Sequence, residues 1–253
     1  MPVFAIRISP VPDMQSRFKV FSEKVAQEQR VPLKKNICTG SCSFAYSEDP
    51  ENRAGTFIID EANQSWVYAY GNLFCLDNTN KEAVLKRFIY DPEGALSLSE
   101  GHFMVIAYDA VRDRLHAASD VAGTLALYYS CQNQEVYLSS SVLSIAAMLK
   151  TRSADRFSIN NFLFAGGYSG SHTLFEEIKR TQGEYIYYFN SEGMQKKRWH
   201  SFHSILADSS AESTIEDACA KTIAVFKKTI PQSIPATQKV WCQLTGGYDC
   251  RFI

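Results

Sequence analysis

Along the first 190 residues, short apolar runs rich in β-branched and aromatic side chains alternate with polar turns. This pattern is typical of strands in antiparallel sheets. The predicted strands are 1–8, 57–60, 65–70, 102–108, 114–119, 125–130, 135–139 and 184–189. The two strands that flank residues 61–64 form a predicted hairpin. Sheet therefore dominates this part of the chain.

Other segments place apolar residues at helical spacing. The apolar face of the clearest one consists of Val84, Leu85, Phe88 and Ile89. Asn78 or Thr79 can cap this helix, and Pro92 ends it. Ser158 is the predicted cap of another helix. The helix that Ser158 caps spans 158–164, and three further helices are predicted at 17–28, 142–150 and 211–229.

Composition limits the class of protein. The chain has 253 residues, 45% of them apolar, and a net charge of −1, so it can bury a sizeable core. Neither the charge nor any basic stripe favours binding to nucleic acid or to a membrane surface. No run of about 18 apolar residues is present, and the apolar start is too short for a signal peptide. We therefore expect a cytoplasmic protein that binds neither nucleic acid nor membrane.

The seven cysteines are read as reduced thiols. Cys75 and Cys242 lie inside apolar runs, where a thiol serves as a small hydrophobic group. Cys38 and Cys42 form a C-x3-C pair, but no second pair or histidine cluster completes a four-ligand zinc site. We therefore expect no metal site in this chain.

The strongest functional signal is a glycine loop near the C-terminus. An apolar run at 240–244 leads into Thr-Gly-Gly-Tyr-Asp-Cys, and 251–253 can begin a helix. Two glycines let the backbone approach a phosphate, and free N–H groups at a helix start supply donors. Neither a Walker lysine nor a dinucleotide G-x-G-x-x-G is present. From these residues alone, a Gly-Gly turn that closes a hairpin is an equally open alternative.

Longer segments resemble a known family. Leu-Thr-Gly-Gly-Tyr-Asp-Cys-Arg is similar to the pyrophosphate loop of asparagine-synthetase-like ligases, usually Leu-Ser-Gly-Gly-x-Asp-Ser-Arg. Gly-His-Phe-Met-Val-Ile-Ala-Tyr-Asp at 101–109, Asp-Val-Ala-Gly-Thr-Leu-Ala-Leu-Tyr-Tyr at 120–129 and Thr-Leu-Phe-Glu-Glu-Ile at 173–178 resemble that family's glutamine amidotransferase domain. Ser119 and Ala126 depart from its Arg and Pro. Order and spacing agree from about residue 65 to 253, which favours the phosphate loop over the hairpin turn.

The resemblance implies a fold class and a domain division. The implied fold is α+β: an αββα sandwich of the N-terminal-nucleophile type, followed by the first strand of an α/β pyrophosphate-loop domain. The amidotransferase-like domain would occupy residues 1–190 and the linker 191–210. Residues 211–253 would begin a truncated ATP-binding domain.

The resemblance also implies that the glutamine site is degenerate. Pro2 stands where the family has its nucleophilic cysteine, so no catalytic residue is expected. Tyr70, followed by Gly71, stands where the oxyanion asparagine would be, Asn72 replaces an acidic residue, and Leu98 replaces a glutamine-binding aspartate. Cys38 and Cys42 lack a free α-amine and are expected to be structural thiols.

For the second half, the resemblance implies AMP-forming amide synthesis with ATP and Mg²⁺. The residues assigned to pyrophosphate binding are Leu244, Thr245, Gly246, Gly247, Asp249 and Cys250. The thiol of Cys250 is a weaker donor than the usual serine hydroxyl. The expected partners are a small-molecule carboxylate and an amine that does not come from glutamine. A homodimer is left open.

We expect this chain to be the front part of such a ligase and to be inactive alone, because the adenine and carboxylate pockets of the family lie downstream. The alternative is a non-catalytic pseudo-amidotransferase that acts as a scaffold or binding module.

Overall fold

The computed structural model describes residues 3–10, 14–33, 35–47, 55–76, 79–201 and 214–233. The chain divides into two compact units, Met1–Phe202 and His203–Ile253. Within the described residues, no helix is long and apolar enough to cross a membrane.

The first unit is built mainly from strands. In chain order these are β1 (Phe4–Ile8), β2 (Lys35–Thr39), β3 (Cys42–Tyr46), β4 (Gly55–Asp60), β5 (Ser65–Cys75), β6 (Ser99–Asp109), β7 (Arg114–Ser119), β8 (Tyr128–Gln132), β9 (Glu135–Ser139), β10 (Lys179–Arg180), β11 (Tyr185–Asn190) and β12 (Gly193–Arg198). Its described helices are α1 (Met14–Gln29), α2 (Lys81–Tyr90), α3 (Pro92–Leu96), α4 (Val142–Ala146) and α5 (Arg156–Ala165).

The strands form two antiparallel sheets. One has the order β10-β8-β9-β1-β3-β2 and the other the order β12-β11-β7-β6-β5-β4. The first strand thus lies in the middle of its sheet, between β9 and β3. The predicted hairpin across 61–64 is confirmed, because β4 pairs with β5 from Asp60 opposite Ser65 onward.

Side-chain alternation along the strands builds four layers. Trp66 and Tyr68 of β5 point into the core between the two sheets, whereas Val67 and Ala69 point to a second core beneath α2 and α3. A third core lies between the other sheet and helices α1 and α4. Because the central strands are buried on both faces, their sequences are nearly continuous apolar runs. The predicted αββα sandwich is confirmed, while its predicted following strand at 240–244 lies outside the described residues.

Several element boundaries differ from the predictions for local reasons. Asn80 caps α2 by accepting a hydrogen bond from the backbone N–H of Glu82 at 2.8 Å, rather than Asn78 or Thr79. Asp155 caps α5, and the predicted cap Ser158 donates its backbone N–H to the Asp155 carboxylate at 3.0 Å. Strands β2 and β3 had not been predicted.

The region predicted as a linker, 191–210, starts with strand β12, which pairs along its whole length with β11. Strand β12 lies at the edge of its sheet, where lysines are common. Its sequence is therefore mostly polar and lacks the alternation of apolar and polar residues that would have predicted a strand. Residues 193–198 therefore belong to a sheet strand and not to a linker, which corrects the predicted linker at its start. The wider division into domains stays a prediction.

The second unit contributes one described helix, α6 (Ile215–Ser233). The sequence predicts this helix over 211–229, whereas in the structure it begins at Ile215 and continues past Pro231 to Ser233. Ile223 and Phe226 on its predicted apolar face are exposed.

Candidate functional site

Strand β3, which pairs with β1, faces β5 across the core between the sheets. Phe44 stacks on Trp66 with ring centroids 4.6 Å apart, and Tyr46 packs on Tyr68 with centroids 5.0 Å apart. Tyr46 is the residue opposite Phe4 in the β1–β3 ladder. The Tyr46–Tyr68 contact therefore lies level with Phe4, the first residue of β1.

Aromatic rings fill this end of the core. Phe57 lies 5.4 Å from Tyr46, measured between ring centroids, and Tyr70 packs partly buried against the same core. Burial, with smaller contributions from Tyr70 and Tyr46, raises the pKa of the Tyr68 phenol. The position at which the family would place an oxyanion-binding amide is thus part of an aromatic wall.

Two glycines shape the backbone next to Tyr70. Gly71 has φ +101° and Gly101 on the neighbouring strand β6 has φ +112°. A Cβ added to Gly71 would overlap the carbonyl oxygen of His102, and one added to Gly101 would overlap the carbonyl oxygen of Asn72. Both strands therefore need glycine at this approach.

The four predicted glutamine-site positions are not all together. Tyr70, Gly71 and Asn72 are consecutive on β5, and Asn72 is exposed. The carbonyl of Leu98 instead accepts a hydrogen bond from the N–H of Leu76 at 2.9 Å. Leu76 comes four residues after Asn72, which corresponds to about 13 Å at the rise of a strand. The Leu98 side chain packs against the core beneath α2 and α3. The structure thus separates Leu98 from the other three, and a role for the set stays a prediction.

Other predicted site residues lie outside the described residues. They are Pro2 and the phosphate-loop positions Leu244, Thr245, Gly246, Gly247, Asp249 and Cys250. Their roles stay predictions. The first described residue, Val3, is buried, and its carbonyl accepts a hydrogen bond from Ser47 N–H at 3.0 Å.

Cys42 and Cys131 are poor nucleophiles. Burial, followed by the proximity of Asp113 and Cys38, raises the pKa of Cys42 well above its usual value. Burial also raises the pKa of Cys131 to about 12. A thiol with a raised pKa carries little thiolate at neutral pH and reacts slowly. Cys38 is exposed, and its sulfur lies 3.5 Å from the hydroxyl of Ser43. In the described part of the chain, no group of three metal-ligating side chains comes together.

One charged cluster was missed by the sequence reasoning. The guanidinium of buried Arg7 donates to the Glu135 carboxylate at 2.6 Å, and Arg17 of α1 donates to the same oxygen at 2.7 Å. Tyr137 donates to the second oxygen at 2.9 Å. Burial opposes ionisation of Glu135, but these hydrogen bonds outweigh it and lower the pKa. The sequence offers no signal for this cluster, because its members come from three separate segments.

Comparison with known sequences finds one matching domain family. Residues 68–200, just over half of the chain, match the sequence profile of the glutamine amidotransferase domain family. No curated protein sequence matches the chain.

Two solved structures are similar at low identity. One is the glutamine phosphoribosylpyrophosphate (PRPP) amidotransferase from B. subtilis complexed with ADP and GMP, with 11% identity and a TM-score of 0.45. The other is described as the allosteric regulatory enzyme of purine biosynthesis, with 10% identity and a TM-score of 0.48. Each alignment covers 79% of this chain and 49% of the other, so the chain spans about half the length of these structures.

Proposed function

Because the chain belongs to the glutamine amidotransferase domain family, we propose that it is the front part of an ATP-dependent amide ligase of the asparagine-synthetase type whose glutaminase site has degenerated. The observation that carries the proposal is the aromatic wall at the start of β1. There, Tyr70 takes the place of an amide donor and packs against the core between the sheets.

Glutamine hydrolysis by this fold needs a nucleophile and hydrogen-bond donors aimed at the oxyanion. Pro2 has no side-chain nucleophile, and Tyr70 stands where an asparagine amide would donate. Losing one oxyanion donor typically lowers kcat by about 10²–10³-fold. Losing the nucleophile as well should leave no glutaminase activity, so the amine would be ammonia or a group of the substrate itself.

The ligase chemistry is proposed to lie in the second unit and beyond it. The residues Thr245 to Asp249 would hold the pyrophosphate of ATP through backbone N–H groups. Mg²⁺ would supply charge stabilisation on the phosphates. A carboxylate would attack the α-phosphate of ATP and displace pyrophosphate to give the acyl-adenylate, and attack by the amine on its carbonyl carbon would form the amide and release AMP.

A second candidate is a non-catalytic scaffold. It is favoured by one observation, the exposed apolar face of helix α5, where Leu163 and Phe164 point into solvent. In this case the amidotransferase fold would serve as a docking module and the chain would make no amide bond at any length.

The first of two assays tests the degenerate glutamine site, and the second separates the two candidates. The first measures glutamate release from glutamine by the purified chain, with an active amidotransferase as the positive control. We expect no release above background. Clear glutaminase activity would refute the degenerate site.

The second assay measures pyrophosphate release from ATP with a panel of carboxylic acids, comparing the 253-residue chain with one extended through its natural downstream sequence. We expect turnover only in the extended chain, lost in Asp249→Ala and kept in the matched control Asp217→Ala on exposed α6. Turnover by the 253-residue chain would show that the active site has been misplaced. An inactive extended chain would favour the scaffold.

A further inference from the structure

Strand β7 buries a histidine between its two neighbouring strands. His116 lies opposite Ala107 of β6 and Tyr188 of β11, and it is fully buried. Leu115 and Ala117 belong to the core between the sheets, so strand alternation directs the side chain of His116 to the other face, toward the layer of α2 and α3. Its ring meets the ring of Tyr188 edge-on, with centroids 5.2 Å apart.

The ring of His116 has no hydrogen-bond partner in the part of the chain that the structure describes. Both of its nitrogens are buried and unpaired. A neutral imidazole leaves one donor and one acceptor unpaired here, whereas an imidazolium would bury a charge and two donors without an acceptor. Burial, followed by the positive charge of Arg114, lowers the pKa of His116 to about 3. The folded chain therefore keeps this ring neutral at neutral pH.

Charged groups surround the pair of His116 and Tyr188, but none of them pairs with the imidazole. They are Asp109 of β6, Arg112 in the turn that follows, Arg114 of β7, Asp91 and Glu93 at the start of α3, and Lys197 of β12. The charge of Asp109 acts to raise the pKa of His116. The carboxylate of Asp109 is already engaged, because it accepts the N–H of Val111 at 3.0 Å and the guanidinium of Arg112 at 2.9 Å. A charged ring would therefore have no counter-ion within hydrogen-bonding distance among the described residues.

Helix α3, which lies near this ring, is short and weakly attached. Burial and, next, the charge of Glu93 raise the pKa of the Tyr188 phenol, which places the start of α3 close to the His116–Tyr188 pair. The helix has five residues, too few to be stable without packing. An ion pair between Glu93 and Lys197, 2.6 Å long and about half exposed on both sides, links it to β12, and such surface pairs stabilise little. Because local openings start at the least stable elements, α3 is the route by which water reaches the ring.

We propose that His116 is an acid-sensitive switch: when its imidazole takes up a proton from solvent, α3 separates from the sheet and the charged ring reaches water. A buried ring without an acceptor disfavours the charge, so proton binding favours the open form. The closed form has its full stability above about pH 6.5, the pKa of an exposed histidine, and loses it as the pH falls toward the folded-state pKa of about 3. This inference does not depend on the ligase proposal.

The test is amide hydrogen exchange of the full chain near neutral pH and at about pH 4.5, corrected for the intrinsic exchange rate at each pH. The amides of Ala95 and Ser97 report on α3, because they donate to the carbonyls of Asp91 and Glu93. Strand β1, in the middle of the other sheet, is the internal reference. The lower pH is about two units below the pKa of an exposed histidine, so the opening equilibrium constant at α3 should rise about 100-fold, while that of β1 changes far less.

Two replacements separate the charge from the packing. His116→Leu keeps an apolar side chain and His116→Gln keeps an unpaired polar one, but neither can take up a proton. The 100-fold acid response of α3 should disappear in both, and the Gln variant should be the less stable of the two at every pH because its buried amide is unpaired. The matched control is His102→Gln on β6, at an exposed residue, which should keep the full response.

Three results would overturn the proposal. The first is an unchanged acid response of α3 in either His116 variant. The second is an equal rise of exchange in α3 and in β1 of the parent chain, which would show that acid unfolds the whole unit. The third needs no variant: it is a titration midpoint near about pH 6.5 for every one of the five histidine rings in NMR spectra of the folded chain.

Discussion

Replacing Gly71 by alanine should destabilise the chain more than a glycine replacement at an exposed loop. Gly71 has φ +101°, a conformation that costs an L-residue about 1–3 kcal/mol. The added Cβ would also overlap the His102 carbonyl and lie 3.1 Å from both Leu125 Cδ1 and Phe103 Cα. Crowding a packed site costs a further 1–3 kcal/mol or so. We expect the free energy of unfolding to fall by about 4 kcal/mol, a large part of the total for a typical domain.

Two matched glycines calibrate the measurement. Gly166 has φ +72° but nothing lies within 4 Å of its added Cβ, so Gly166→Ala should cost only about 1–2 kcal/mol for the left-handed backbone. Gly167 has open space and no left-handed φ, so Gly167→Ala should be close to neutral.

The assay is urea unfolding followed by tryptophan fluorescence, with Trp66 reporting from the core between the sheets, and by circular dichroism. The reasoning would be refuted if Gly71→Ala cost no more than Gly166→Ala, because the overlap with His102 would then contribute nothing.

Two further predictions concern charged groups. Glu135→Gln removes the charge that faces Arg7, whose side chain is 1% exposed, so the free energy of unfolding should fall by about 3–5 kcal/mol. Arg17→Ala, at a side chain that is 47% exposed, should lower it by less than about 1 kcal/mol in the same urea experiment. Equal losses for the two variants would contradict this assignment. The hydrogen bond with His172 lowers the pKa of Asp155 from 3.8 to about 2, so its stabilisation is complete above about pH 4 and is lost as the pH falls through about 2. The thermal midpoint, measured across this pH range, should fall less steeply with acid in Asp155→Ala than in the parent chain. The same pH profile in both proteins would show that the pair of Asp155 and His172 does not stabilise the fold.

Much of the architecture could be predicted from local sequence. The strands at 114–119 and 135–139 have the predicted bounds, and the apolar residues of α2 are buried as their spacing indicates. The αββα fold class followed from the resemblance of segments such as 101–109 and 120–129. These features depend on neighbouring residues or on a short ordered motif, so one sequence carries them.

The candidate site could be predicted only in part. The substitution of tyrosine at position 70 is visible in the sequence, but its consequence depends on Tyr46 and Phe57, which come from other strands. The separation of Leu98 from Asn72 follows from the register of β5 against β6. Register is fixed by pairing across the sheet, so alignment to a motif cannot supply it.

The sequence by itself determined the period of each segment, the likeness to an amidotransferase domain, and the residues at positions 2 and 70, which depart from the pattern of the family that the chain resembles. Only the tertiary structure decided what each segment packs against. Arg7 meets Glu135 across 128 residues of chain, and the apolar side of α5 faces solvent although its composition indicates burial. The physical reason is that secondary structure depends largely on local steric and hydrogen-bonding preferences, whereas burial and ion pairing depend on contacts that form only when distant segments meet.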